Sequence, residues 1–137
     1  CSSDLDGSAA RDFLYVEDCC EALDRLVNVE RSAVVGQTLN LGSGVHRSIL
    51  EIADAVRTMM HSDVPVQLVG ERPGQVFRHT CDGSKARRLL DWKPATSWES
   101  GLARTIDWYR NNEAWWRPLM WMRQIPIVTA AGKRELH

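Results

Sequence analysis

Two arginines set in loop-like sequence carry most of the chemistry this chain offers. Arg11 stands beside Asp12 just ahead of a β-prone run, and Arg72 precedes Pro73-Gly74. Proline stiffens such a loop, and glycine lets another backbone or a ligand come close. A guanidinium stays charged at every relevant pH and matches phosphate oxygens two at a time. Two of them converging on one cleft would hold a diphosphate; apart, each reads as an ordinary surface ion-pair partner. Lys85, Arg87 and Arg88 form a second basic group, read as the solvated face of a short helix or, alternatively, as an anion site. The tryptophans divide. Trp98 and Trp108 fit the buried side of a helix. Trp115, Trp116 and Trp121, with Met120 and Met122, suit either packing back onto the domain or an interface or membrane-surface contact.

Other chemistries lack their residues. No GxGxxG or GxxGxxG turn and no GxxxxGK[ST] loop occurs, so the chain is expected to hold no nucleotide cofactor. Tyr15 and Tyr109 have no lysine four residues on, and there is no GxSxG elbow. His46, His61, His79 and His137 make no HxxxH pattern. Cys1, Cys19, Cys20 and Cys81 make no CxxC pair and read as reduced thiols of a cytoplasmic chain. No metal site is expected.

The elements that must position these groups follow from pattern. With 137 residues, 44% hydrophobic and 26% charged, the chain has ordinary globular composition. A net charge of −1 argues against a nucleic-acid partner, and no apolar run is long enough for a membrane span. Phe13-Leu14-Tyr15-Val16 predicts a buried strand. Asp18 and Glu21 predict a capped helix over 18–29. A strand over Gln37–Leu41 stops at Gly42-Ser43-Gly44. Ser48-Ile49-Leu50-Glu51 is a capping box opening a helix to about His61. Val64–Val69 predicts a strand with Pro65 at its start, and Val76–Cys81 a short extended stretch. Ser84–Leu90 predicts a short helix. Thr96-Ser97-Trp98-Glu99 predicts a third box, opening a helix to about Asn111. Strands alternate with helices, which is an α/β pattern. The tail from Trp115 shows no clear period.

In register, these pieces resemble one family. Asp6-Gly7-Ser8-Ala9-Ala10-Arg11-Asp12-Phe13-Leu14-Tyr15-Val16-Glu17-Asp18 is similar to the G-x-x-x-R-D-F-x-Y-V-x-D segment of the extended short-chain dehydrogenases, the NAD-dependent nucleotide-sugar epimerases, 4,6-dehydratases and decarboxylases. The same order holds for Thr38–Gly44, for Arg72-Pro73-Gly74 with Asp82-x-Ser84-Lys85-Ala86, for Leu90-Asp91-Trp92-Lys93-Pro94, and for Gly101-Leu102-x-x-Thr105-Ile106-x-Trp108-Tyr109. The resemblance implies a small partial α/β domain of short strands with three to four helices, lacking the N-terminal Rossmann part. Residues 1–116 would be the C-terminal, nucleotide-sugar-binding lobe, and 117–137 a tail of unknown role. It implies that Arg11 and Arg72 contact the substrate diphosphate. Gln75 stands where the family often carries an acidic residue facing the ribose. NAD would belong to the complete enzyme, because the Gly-rich loop and the Tyr-x-x-x-Lys pair lie upstream in the family. The start at Cys1 rather than Met fits a fragment, inactive alone. The alternative is a free-standing binding module. In either case apolar surface bared by the missing lobe would drive self-association.

Overall fold

The computed structural model describes residues 7–68, 76–124, 126–128, 132 and 134–136. The chain divides into two compact units, Cys1–Leu102 and Ala103–His137.

In the first unit a three-residue strand, β1 (Ala10–Asp12), is central. It pairs antiparallel with β2 (His46–Ser48), placing Arg11 opposite Arg47 and Asp12 opposite His46. Its other edge meets the 77–79 segment through a parallel bridge from Ala10 to Arg78. There Ala10 N–H donates to the Phe77 carbonyl at 2.8 Å, and His79 N–H donates to the Ala10 carbonyl at 3.1 Å. Ahead of β1, Gly7 sits at φ +70°, and a Cβ on it would come 3.0 Å from Leu50 Cβ. Only glycine suits both the dihedral and the space.

The strand expected at Phe13–Val16 does not form. Tyr15 adopts extended angles as the residue before α1 (Val16–Asn28), so the helix opens where the strand was expected to end. Asp18 is not its cap. It lies inside the first turn, 4% exposed. Its carboxylate accepts from Ala95 N–H at 3.1 Å, from Thr96 N–H at 3.2 Å and from the Thr96 hydroxyl at 3.1 Å. A short helix α2 (Arg31–Val34) follows. Residues 37–41 and 64–68 form no strand, although Leu39 and Leu41 pack on the core from a loop. Val69 lies outside the described residues.

Helix α3 (Ile49–Met60) opens as the sequence predicts. Ser48 N–H donates to Glu51 Oε2 at 2.6 Å, and Glu51 N–H donates to Ser48 Oγ at 3.1 Å. Helix α4 (Ser84–Leu90) ends on Asp91 at φ 48°. Helix α5 (Trp98–Asn111) starts one residue off the predicted cap. Ser97 Oγ takes the Ser100 N–H at 3.2 Å, because the Thr96 hydroxyl is committed to Asp18. The core gathers Ala22 of α1, Ala86 and Leu90 of α4, and Trp92, with Leu14, Leu26 and Val29 against them. Arg25 clips α1 to the end of α4 by donating to the Leu90 and Asp91 carbonyls, while its ion pair with Glu21 at 2.8 Å holds the guanidinium in place.

The second unit holds the rest of α5, then α6 (Glu113–Trp116), a 3-10 helix (Arg117–Gln124) and an antiparallel hairpin of β3 (Pro126–Val128) and β4 (Arg134–Leu136). Trp108, expected in the core, is 43% exposed. Its ring meets Tyr109 and Trp115 edge-on at 5.2 and 5.3 Å. Trp116 folds back and donates its indole N–H to the Tyr109 carbonyl at 2.7 Å.

Candidate functional site

Where β1 meets the 77–82 segment and the loop before Gly42, the surface opens into a groove of about 620 Å³ that includes Arg11, Asn40, His79, Thr80 and Asp82. Arg11 reaches it from the middle of β1. Its Nη1 donates to the Ala10 carbonyl at 2.8 Å and to the Phe77 carbonyl at 3.4 Å. Arg47, directly opposite on β2, would repel it, since like charges facing across strands destabilise a sheet. Arg47 instead lies over the Trp98 ring, 4.9 Å from its centroid, and 3.8 Å from Glu99. Phe13 backs that ring edge-on at 5.8 Å.

Asp12 ties the groove together. Its Oδ1 accepts from the Ser43 hydroxyl at 2.6 Å and from Ser43 N–H at 3.0 Å. Its Oδ2 accepts from Gly44 N–H at 2.8 Å and from Cys81 N–H at 3.0 Å. Burial pushes this carboxyl upward, but the hydrogen bonds together outweigh it, and its pKa lies below the ordinary 3.8. Gly42 makes the approach possible, because a Cβ there would collide with the Cys81 side chain. Burial and the carboxylates of Asp12 and Asp82 raise the Cys81 pKa, which keeps it a thiol. Asp82, at the groove's edge, is itself held below the usual carboxylate value by the Ser84 N–H, which it accepts at 2.9 Å as α4 begins.

A pH dependence follows. A carboxyl whose folded pKa is depressed stabilises the fold fully above its ordinary value and loses that contribution as pH falls through the lowered one. The urea midpoint of the chain should exceed that of Asp12→Asn at neutral pH. The gap should close on acidification past 3.8. A gap independent of pH would contradict this role for the charge.

Of the residues singled out by sequence, Arg11 lines the groove, while Arg72 and Gln75 lie outside the described residues. Lys85 is half-buried and Arg87 and Arg88 are exposed on α4. Sequence reasoning missed Asp12, Gly42 and Arg47. Asp12 was visible as the residue after Arg11, and Gly42 only as the end of an expected strand. Among the described residues no group of three His, Cys, Asp or Glu side chains could hold a metal ion. No described helix is long and apolar enough to cross a membrane.

The class defined here is a small α/β unit that presents a strand-borne arginine beside a carboxylate-tied glycine loop. The profile of the GDP-mannose 4,6 dehydratase family matches residues 5–105, and the chain belongs to that family. It is 34% identical over 120 residues to a dTDP-glucose 4,6-dehydratase of Xanthomonas campestris, covering 80% of this chain and 33% of that protein. To the enzyme of the same name from Escherichia coli it is 32% identical over 126 residues, covering 83% and 34%. Among solved structures, the epimerase Mth375 of Methanothermobacter thermautotrophicus aligns with TM-score 0.78 at 32% identity, covering 85% of this chain and 34% of that one. DesIV, a dTDP-glucose 4,6-dehydratase from Streptomyces venezuelae solved with NAD and TYD bound, aligns with TM-score 0.74 at 31% identity, covering 83% and 35%. The chain thus spans about a third of the length of the relatives it matches.

Among the described residues, the starts of α1, α3 and α4 do not fit the pyrophosphate of NAD. Helix α1 follows Tyr15, α3 follows the Ser48–Glu51 box, and the Gly83 that precedes α4 lies 3.5 Å, at its Cβ position, from the Gly42 carbonyl. None offers the open glycine turn a pyrophosphate needs at a helix N-terminus.

Proposed function

We propose that this chain supplies the substrate lobe of a nucleotide-sugar 4,6-dehydratase and binds the diphosphate of the nucleotide sugar, with hydride and proton transfer carried by groups outside these 137 residues. The placement of Arg11 at the groove, where its guanidinium charge can meet phosphate oxygens, is the observation that carries this reading. Arg72 serves as the second diphosphate contact, and Gln75 hydrogen-bonds the ribose. The dehydratase is favoured over the epimerase by the names of the curated relatives.

Titration with thymidine diphosphate, followed by amide NMR shifts, tests this. A charge-assisted hydrogen bond contributes about 1.5–3 kcal/mol net. Arg11→Ala and Arg72→Ala should therefore each weaken the measured affinity by roughly ten- to a hundred-fold, since about 1.4 kcal/mol is tenfold. Unchanged affinity in both variants would refute the diphosphate assignment. Calorimetry with NAD alone should show no stoichiometric micromolar site.

A second reading, self-association, is favoured by α1. Val16, Leu23 and Val27 stand seven and four residues apart on this helix and are 63%, 51% and 83% exposed. That spacing puts them on one stripe, and exposed apolar stripes recruit partners. Light scattering should show a dimer at high concentration that Leu23→Lys and Val27→Lys return to monomer. Wild type remaining monomeric across the series would dismiss the dimer.

A further inference from the structure

We infer that Asp12 is a positioning residue for Arg11, holding that guanidinium at the groove by fastening β1 to the 42–44 loop and to Cys81. The inference rests on the reading of Arg11 as a diphosphate contact. Three separate pieces of chain wall the groove, and one carboxylate joins them. Asp12 follows Arg11 on the same short strand, so whatever fixes one backbone position fixes the other. Both carboxylate oxygens are used, Oδ1 by Ser43 and Oδ2 by Gly44 and Cys81, at 2.6–3.0 Å. Gly42 brings its loop close enough for this, since any Cβ would strike Cys81. On the strand's other edge, the Phe77 carbonyl that takes the Ala10 N–H at 2.8 Å also takes Arg11 Nη1 at 3.4 Å. The 77–81 segment is therefore tied at both ends of β1, to the backbone of Ala10 and to the side chain of Asp12.

A carboxamide at position 12 can accept with only one of its two heads, so Asp12→Asn turns a donor toward either Ser43 or the Gly44–Cys81 pair. The substitution also removes one negative charge from the groove, which by itself would favour a diphosphate, so weaker binding would have to come from lost positioning. The strand end should then loosen, and Arg11 with it. A role confined to stability would instead be matched by loss of a second carboxylate hub, the buried Asp18, which binds Ala95 and Thr96 away from the groove.

The experiment uses the full chain, with thymidine diphosphate as probe and the Arg11 Nε–H resonance as a second readout. In Asp12→Asn the dissociation constant should rise at least tenfold, and the heteronuclear NOE of Arg11 Nε–H should fall even without ligand. Asp18→Asn should lower the urea midpoint yet leave both unchanged. A folded Asp12→Asn with wild-type affinity and wild-type Arg11 order overturns the inference, as does an Asp18→Asn that loosens Arg11 equally. If Arg11→Ala binds the diphosphate as well as wild type, the diphosphate reading fails, and the ligand-free NOE still judges the positioning. Should Asp12→Asn not fold, Ser43→Ala, which deletes only the 2.6 Å hydroxyl donor, must lower the Arg11 NOE or the inference falls.

Discussion

Trp92→Ala is expected to be the most damaging core substitution in the first unit, costing about 3–5 kcal/mol by the usual range for tryptophan truncation. A small domain has about 5–15 kcal/mol in total, so the variant should be largely unfolded at modest urea. Trp92 is 2% exposed and is the largest fully buried side chain among the described residues. It sits between α1 and α4, where Ala22 and Ala86 leave room only because the indole fills it. Small neighbours cannot collapse into the space it vacates. The indole N–H is buried without an acceptor among the described residues. Trp92→Phe should therefore retain most of the stability, because it gives up volume but also an unpaired donor. Far-UV circular dichroism through a urea series measures both. Equal midpoints for Trp92→Ala and wild type would show that the cluster is not the core.

Gly42→Ala should be nearly as severe for one added methyl group. The new Cβ would lie 2.7 Å from Cys81 Sγ and 3.0 Å from Asp12 Oδ2, and closer still to Cys81 Cβ. Cβ atoms are fixed to the backbone, so no rotamer change relieves this. Overpacking typically costs about 1–3 kcal/mol, and here the loop must also move off the Asp12 carboxylate. Removing the opposing atoms should repair it. Gly42→Ala with Cys81→Gly should recover most of the loss, although Cys81→Gly alone is mildly destabilising. A double variant no better than Gly42→Ala alone would mean the strain lies elsewhere.

The helices were legible in sequence where local chemistry decides them. Ser48 and Glu51 cap each other across three residues, so α3 begins where the pattern says. Strands were not, because their partners lie far off. Phe13-Leu14-Tyr15-Val16 has the composition of a strand, yet the ladder occupies Ala10–Asp12, which does not. His46–Ser48 is a strand only because β1 lies beside it. Asp18 shows the same override. Its sequence context suits a cap, but two amides and a hydroxyl nearly eighty residues away claim its carboxylate. At the site, Arg11 was found through its charge and its place in a motif. Asp12 was overlooked because a carboxylate beside an arginine reads as an ion pair. The structure turns it toward the 43–44 loop and Cys81 instead.

Those distant claims set the timing of assembly during synthesis. The ties of Asp12 to Cys81, Arg25 to Asp91 and Asp18 to Thr96 span 69, 66 and 78 residues. A ribosome adding roughly 5–20 residues per second needs about 3–16 s to bridge such gaps. Throughout that interval α1 lacks the partners its core face has in the folded unit, since Ala86, Leu90 and Trp92 have yet to be made. The native core of the first unit is thus obliged to close late, only once the chain has passed Thr96.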